Sequence, residues 1–240
     1  MRTQKVPAMA DFILVHGAMH GAWCWDLVRK ELQQLGHRAF AMDLPVDKLE
    51  ARIPDYADAV VRATDGIAGE RALVVGHSLS GVVIPHVALR RQVGGLIYLC
   101  SLVAPLTVAD HQANLALFNP GLLAHRRFDE FGRSFYSDEA AINFLVHDVA
   151  PPLQQWAVSN LRPQVPQHNP ELLPAMPDVP TYAIIATEDR IVASAERHRE
   201  LIRARLGIEP LELGGGHSPF LARPAELALM LHASAAKIRN

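Results

Sequence analysis

Residues 73–81 read Leu73-Val74-Val75-Gly76-His77-Ser78-Leu79-Ser80-Gly81, and their order decides the fold class. A short apolar run passes directly into a turn of small residues, and the turn passes directly into a helical pattern predicted over 79–91. An apolar run without polar alternation is what a strand covered on both faces looks like. A serine at the corner between such a strand and a helix is held in a tight, strained turn, with its hydroxyl pushed out above the sheet. Its neighbours must be small because other backbone passes close to the turn. The pattern G-x-S-x-G is nearly met: Gly76 is in place, the fifth position is Ser80, and Gly81 follows one residue late. Serine is small enough to be tolerated there. Ser78 is the candidate nucleophile.

Outward from this corner, brief apolar runs alternate with longer amphipathic ones. Strands are predicted at 12–15, 39–42, 72–75, 95–100, 181–186 and 210–213, and helices at 23–35, 56–67, 79–91, 194–206 and 224–238. Gly36 and Gly207 stand where helix C-caps belong. The expectation is one α/β domain over residues 1–240, a mostly parallel central sheet flanked by helices. From about Ala104 to Asp178 the rhythm stops and prolines cluster, at 151, 152, 163, 166, 170, 174 and 177. A structureless loop of that length is improbable inside a compact domain. The stretches 108–118, 138–146 and 153–160 each look like a short helix, so 104–178 reads as a helical lid inserted between two strands.

A serine hydroxyl is a poor nucleophile until a base takes its proton. Twelve histidines are available, so position must choose among them. His217 follows a strand end and the turn Gly214-Gly215-Gly216, on the carboxyl edge of the sheet where open α/β sheets bind ligands. His77 adjoins the serine, but an adjacent side chain on a tight turn points away from it. His86 lies two helical turns along, buried or facing a partner. His16 and His20 sit in the loop after the first strand and are expected to shape the pocket, and the rest are expected on the surface. A base needs an orienting carboxylate. Asp189 follows the strand at 181–186, in the chain order Ser, Asp, His that suits this arrangement. Glu188 is its rival, and Asp43 also ends a strand but precedes the serine. For the developing oxyanion, the backbone N–H of Leu79 opens the helix after Ser78. The loop His16-Gly17-Ala18-Met19-His20-Gly21 offers the N–H of Ala18 as the second donor.

Composition narrows the classes. Half of the 240 residues are hydrophobic and the formal net charge is −2, which gives no electrostatic case for nucleic acid or an anionic membrane. Arg126-Arg127 and the arginines of 197–205 read as solvated surface. Cys24 and Cys100 are too few for a disulfide framework and read as buried apolar residues. No H-E-x-x-H, no paired carboxylates at ligand spacing and no dinucleotide glycine fingerprint occur, so neither metal nor cofactor is expected. Residues 1–10 lack the apolar core of a signal peptide, and no stretch reaches the ~18 apolar residues of a membrane span. A cytoplasmic address is the default, with a small-molecule partner and a homodimer as the assembly compatible with the sequence.

Four stretches together resemble a known group. His16-Gly-Ala-Met-His-Gly-Ala-Trp-Cys-Trp25, the Gly-His-Ser-Leu corner, Thr-Glu-Asp at 187–189 and Gly-Gly-His at 215–217 look like the α/β-hydrolases grouped with plant methyl esterases, salicylic-acid-binding esterases and hydroxynitrile lyases. Bacterial carboxylesterases and pyrethroid-type esterases share the pattern. The resemblance covers about 11–104 and 178–238, and little of the lid. It implies triad roles for Ser78, Asp189 and His217, and oxyanion amides at Ala18 and Leu79. Two positions depart from the lyases, which carry a threonine after the first-loop histidine and a lysine after the catalytic one; here these are Gly17 and Ser218.

The expected chemistry is hydrolysis of a small, largely apolar ester through an acyl-enzyme, without a cofactor. The lid should close an apolar pocket lined by Phe118, Phe128, Phe131, Phe144 and Trp156, with His16, Gly17 and His20 at its floor. Lyase chemistry on the same triad is the alternative enzyme reading, and a slow-turnover binding protein is the reading from a different class.

Overall fold

The computed structural model describes residues 9–167 and 169–238. β1 (Asp11–Val15) leads through α1 (Asp26–Gln34) to β2 (Arg38–Ala41), and from there through α2 (Ile53–Ala63) to β3 (Ala72–His77). α3 (Ile84–Ala88) connects β3 to β4 (Gly95–Leu99). An insertion then holds α4 (Val108–Leu117), α5 (Pro120–Ala124), a hairpin of β5 (Arg127–Phe128) and β6 (Ser134–Phe135), α6 (Asp138–Leu145) and α7 (Pro151–Ser159). The chain rejoins the sheet in β7 (Thr181–Ala186), followed by α8 (Ala195–Leu206), β8 (Leu211–Leu213), α9 (Pro219–Ala222) and α10 (Pro224–Ile238).

The sheet has the order β2-β1-β3-β4-β7-β8, and every pairing in it is parallel. Alternate side chains of a strand point to opposite faces. In β1, Phe12 and Leu14 enter one core with Trp25, Leu32 and Leu231, while Ile13 and Val15 enter the other with Tyr56, Val60 and Ile84. Both faces are dry, which is why the strands read as unbroken apolar runs. From β1 the chain goes outward to β2 and then returns to place β3 on β1's other side. The carboxyl-end loops of β1 and β3 thus leave in opposite directions, and a crevice opens between them.

Local differences from the predicted elements have local causes. The helix expected at 79–91 is a 3-10 turn over Ser78–Gly81 and then only the five residues of α3, because Pro85 lacks the N–H an unbroken helix would need. The helix expected at 56–67 starts earlier, at Ile53. Pro54 suits its first turn, and the Asp55 carboxylate accepts the Arg52 N–H at 2.8 Å. Gly207 closes α8 at φ +67°, its N–H donating to the Arg203 carbonyl at 3.0 Å. Cys24 and Cys100 are free and buried, and burial pushes both thiols well above the ordinary range. Among the described residues no helix is long and apolar enough to cross a membrane. The reading of the N-terminus falls, over residues 1–8, outside the described residues.

Candidate active site

Ser78 follows β3 with φ +53°, a left-handed backbone that costs a non-glycine residue on the order of 1–2 kcal/mol. Close packing on every side imposes this corner. A Cβ on Gly76 would lie 2.7 Å from both the Ser80 carbonyl oxygen and Ile84 Cγ2, and one on Gly81 would overlap the Leu102 carbonyl oxygen. These contacts explain the shifted motif. The position that must be bare is Gly81, whereas the Ser80 side chain is buried and its hydroxyl donates to the His16 carbonyl. Ser80 therefore ties the Ser78 turn to the end of β1. Gly17 completes the packing, since a Cβ there would lie 2.8 Å from both His77 Nδ1 and Ser78 Cβ.

The candidate base and acid follow the last two strands of the sheet. Beyond β8, the buried His217 ring donates from Nδ1 to Asp189 Oδ2 at 2.8 Å. Asp189 is buried beyond β7, and its other oxygen accepts the Ile191 N–H at 2.9 Å. Burial alone would raise the Asp189 carboxyl. The charge and hydrogen bond of His217, the nearby His198 and the Ile191 amide outweigh it, so the group is held below the usual carboxylate range. Glu188 is exposed and, among the described residues, joins the network only through its backbone. His77 does point away from the serine, donating from Nε2 to the His217 carbonyl at 2.9 Å.

Ser78, His217, Ala18, Leu79 and His20 line one cavity of about 460 Å³, and residues of the insertion such as Phe118, Leu122 and Gln164 complete its lining. His20 donates from Nδ1 to the Ala18 carbonyl at 2.8 Å. His16 and Gly17 do not line the cavity. His16 is buried away from it, its Nδ1 donating to the Gly17 carbonyl at 2.8 Å and its Nε2 accepting the Leu44 N–H at 2.9 Å. The two loop histidines, four residues apart, thus have separate structural partners.

Most of the expected aromatic lining is elsewhere. Phe118 lines the cavity, but Phe128, Phe131 and Trp156 are 54%, 58% and 43% exposed and Phe144 is buried in the core behind it. The exposed three have outer partners: Arg126 sits over Phe128, Arg133 over Phe131, and Trp156 meets Trp23 edge-on. Leu122, Leu123, Tyr136 and Leu145 supply apolar wall instead. Arg126, expected to be solvated, is half-buried in the lining and donates to Ser134 Oγ at 3.3 Å. Histidines expected on the surface include His198, which is buried and donates from Nε2 to the Ser101 carbonyl at 3.0 Å.

Sequence reading missed Gln164. It lines the cavity, donates from Nε2 to Tyr56 Oη at 3.0 Å and to the Val165 carbonyl at 2.8 Å, and so anchors the end of the insertion. The Arg162 N–H also reaches the Met19 carbonyl at 2.7 Å. No short motif announces such contacts across more than a hundred residues.

Comparison with known proteins agrees with this architecture. Methyl jasmonate esterase 1 of Vitis vinifera is 42% identical over 89 residues, 33% of this chain and 33% of the relative. Methylesterase 2 of Arabidopsis thaliana is 35% identical over 80 residues, 30% of each chain. The matched stretch thus spans about a third of the length of these curated relatives. Among solved structures, polyneuridine aldehyde esterase superposes with a TM-score of 0.81 at 16% identity, covering 97% of this chain and 100% of that one. A pyrethroid hydrolase from Sphingobium faniae superposes with a TM-score of 0.76 at 23% identity, over 95% and 98%. These likenesses carry the same fold. The family model described as alpha/beta hydrolase matches residues 12–228, a stretch that holds the whole six-stranded sheet bar the first residue of β1 together with the corner serine, so the chain belongs to the alpha/beta hydrolase family.

Proposed function

We propose that this protein is a carboxylic ester hydrolase acting on small, largely apolar esters, with Ser78 as nucleophile, His217 as base and Asp189 as orienting acid. The observation that carries this reading is the buried 2.8 Å bond from His217 Nδ1 to Asp189 Oδ2, in a cavity that also exposes the strained Ser78. With Nδ1 donating to the carboxylate, Nε2 is left as the nitrogen free to take a proton. His217 then deprotonates Ser78 Oγ as it attacks the ester carbonyl. The N–H groups of Ala18 and Leu79 hold the oxyanion. Collapse expels the alcohol, protonated by His217, and a water molecule repeats the sequence on the acyl-enzyme. The insertion acts as a lid, and its leucines favour an apolar acyl or alcohol group. The esterase names of the plant relatives support the same reaction class.

The test is a screen of 4-nitrophenyl acetate, 4-nitrophenyl butyrate and a panel of methyl esters, with Ser78→Ala as control. Hydrolysis is expected in the wild type, and loss of a triad nucleophile costs on the order of 10⁶ in turnover. More than a few per cent of activity left in Ser78→Ala would put the nucleophile elsewhere. Binding of these esters without turnover would make the protein a receptor on this fold.

A further inference from the structure

Two neighbouring residues of the insertion reach the proposed triad from behind. His147 and Asp148 lie in the turn between α6 and α7, and neither lines the cavity. His147 Nε2 is 3.1 Å from the Glu188 carbonyl oxygen, and since a carbonyl only accepts, the ring donates there. Asp148 Oδ2 accepts the Gly216 N–H at 2.7 Å. Glu188 directly precedes Asp189, and Gly216 directly precedes His217. The two loops also join each other, the Glu188 N–H donating to the Gly215 carbonyl at 2.9 Å.

The glycines before His217 belong to the same device. A Cβ on Gly215 would lie 2.5 Å from Asp148 Oδ2, and one on Gly216 would lie 2.6 Å from His147 Nε2 and 2.8 Å from Asp148 Oδ1. Gly215 also has φ +93°. The bare backbone thus makes room for these two side chains. Asp148 Oδ1 is buried and has no hydrogen-bond partner among the described residues, so the Gly216 amide is the contact that holds this side chain against the His217 loop.

We infer that His147 and Asp148 are positioning residues, a brace from the insertion that holds the Asp189 and His217 loops at the separation their hydrogen bond requires. This inference rests on the proposed triad. Asp189 and His217 sit at the ends of different strands, so their 2.8 Å contact depends on how two loops are held relative to each other. A displacement of ~1 Å at a catalytic group costs on the order of 100-fold in rate. The insertion would then do two things: roof the cavity and set the geometry of the base.

The experiment compares Asp148→Ala, Asp148→Asn and His147→Phe in the full chain. One readout is kcat and KM for 4-nitrophenyl acetate, and the other is the low-field proton resonance of His217 Nδ1–H, which needs no substrate. Asp148→Ala should lower kcat about 10- to 100-fold with KM little changed, and should shift or broaden the resonance. Asp148→Asn, which keeps an acceptor for the Gly216 N–H, should restore most of both. An anchor serving only the fold would lower thermal stability and leave kcat and the resonance of the folded protein alone, and that result would overturn the inference. Asparagine as damaging as alanine would overturn it too. If Asp148→Ala does not fold, His147→Phe carries the test on the same readouts. Should the protein hydrolyse no ester at all, the resonance still decides the brace, so the two failures are distinguishable.

Discussion

Replacing His16 with glutamine should remove a defined part of the protein's sensitivity to acid. Both ring nitrogens of His16 are committed, one donating to the Gly17 carbonyl and the other accepting the Leu44 N–H, so a second proton has no place. Burial pushes its pKa down to about 4; the charge of Arg162 adds to this, against the Gly17 carbonyl and Asp43. His20, also buried, is pushed down to about 3. In the unfolded chain both should titrate near the ordinary value of about 6.5. Between that value and the folded pKa the unfolded chain takes up protons that the native state refuses. Their stabilisation is therefore complete above about pH 6.5 and is lost as the pH falls toward 4. Linkage gives each a loss of about 2 kcal/mol between pH 7 and pH 5, about 4 for the pair, a large share of a typical domain's roughly 5–15 kcal/mol. Urea unfolding followed by tryptophan fluorescence at the two pH values measures it. Whatever its stability at pH 7, His16→Gln should lose about 2 kcal/mol less than the wild type over this interval, with equal denaturant slopes. An equal loss in both proteins would refute the assignment of His16 as a buried neutral imidazole.

Two further outcomes concern the chemistry. Asp189→Asn should lower turnover about 10³- to 10⁴-fold by freeing the His217 tautomer, whereas Glu188→Gln should change little, since only the Glu188 backbone enters the network; turnover of 4-nitrophenyl acetate by the two variants checks the order. Mandelonitrile should yield no Ser78-dependent cyanide, because a leaving cyanide needs a cation and the position after His217 is the neutral Ser218. Arg190 is turned away, donating to Asn143 Oδ1 at 2.7 Å, which leaves Arg126 as the cavity's arginine among the described residues. Cyanide release that vanished in Arg126→Ala would replace the esterase reading with a lyase one.

The elements that local chemistry governs were legible in the linear chain. Uninterrupted apolar runs such as 72–75 became parallel strands because both faces of the sheet are covered, and Gly207 capped α8 because only a residue without Cβ takes a left-handed turn cheaply. The corner around Ser78 was legible for the same reason, as was the pairing of candidates for base and acid, since each follows a strand whose carboxyl end must share one edge of the sheet. What the chain order could not express is which side chains of the insertion turn inward. Its helices and hairpin are short and carry apolar residues on more than one side, so Phe128, Phe131 and Trp156 face outward while Leu122, Leu123 and Tyr136 face the cavity. The burial of His16 away from the cavity and the arrival of His147 and Asp148 behind the Asp189 and His217 loops were likewise decided by tertiary packing. Each depends on distances between residues far apart in sequence, and a periodicity carries no information about what will lie across such a gap.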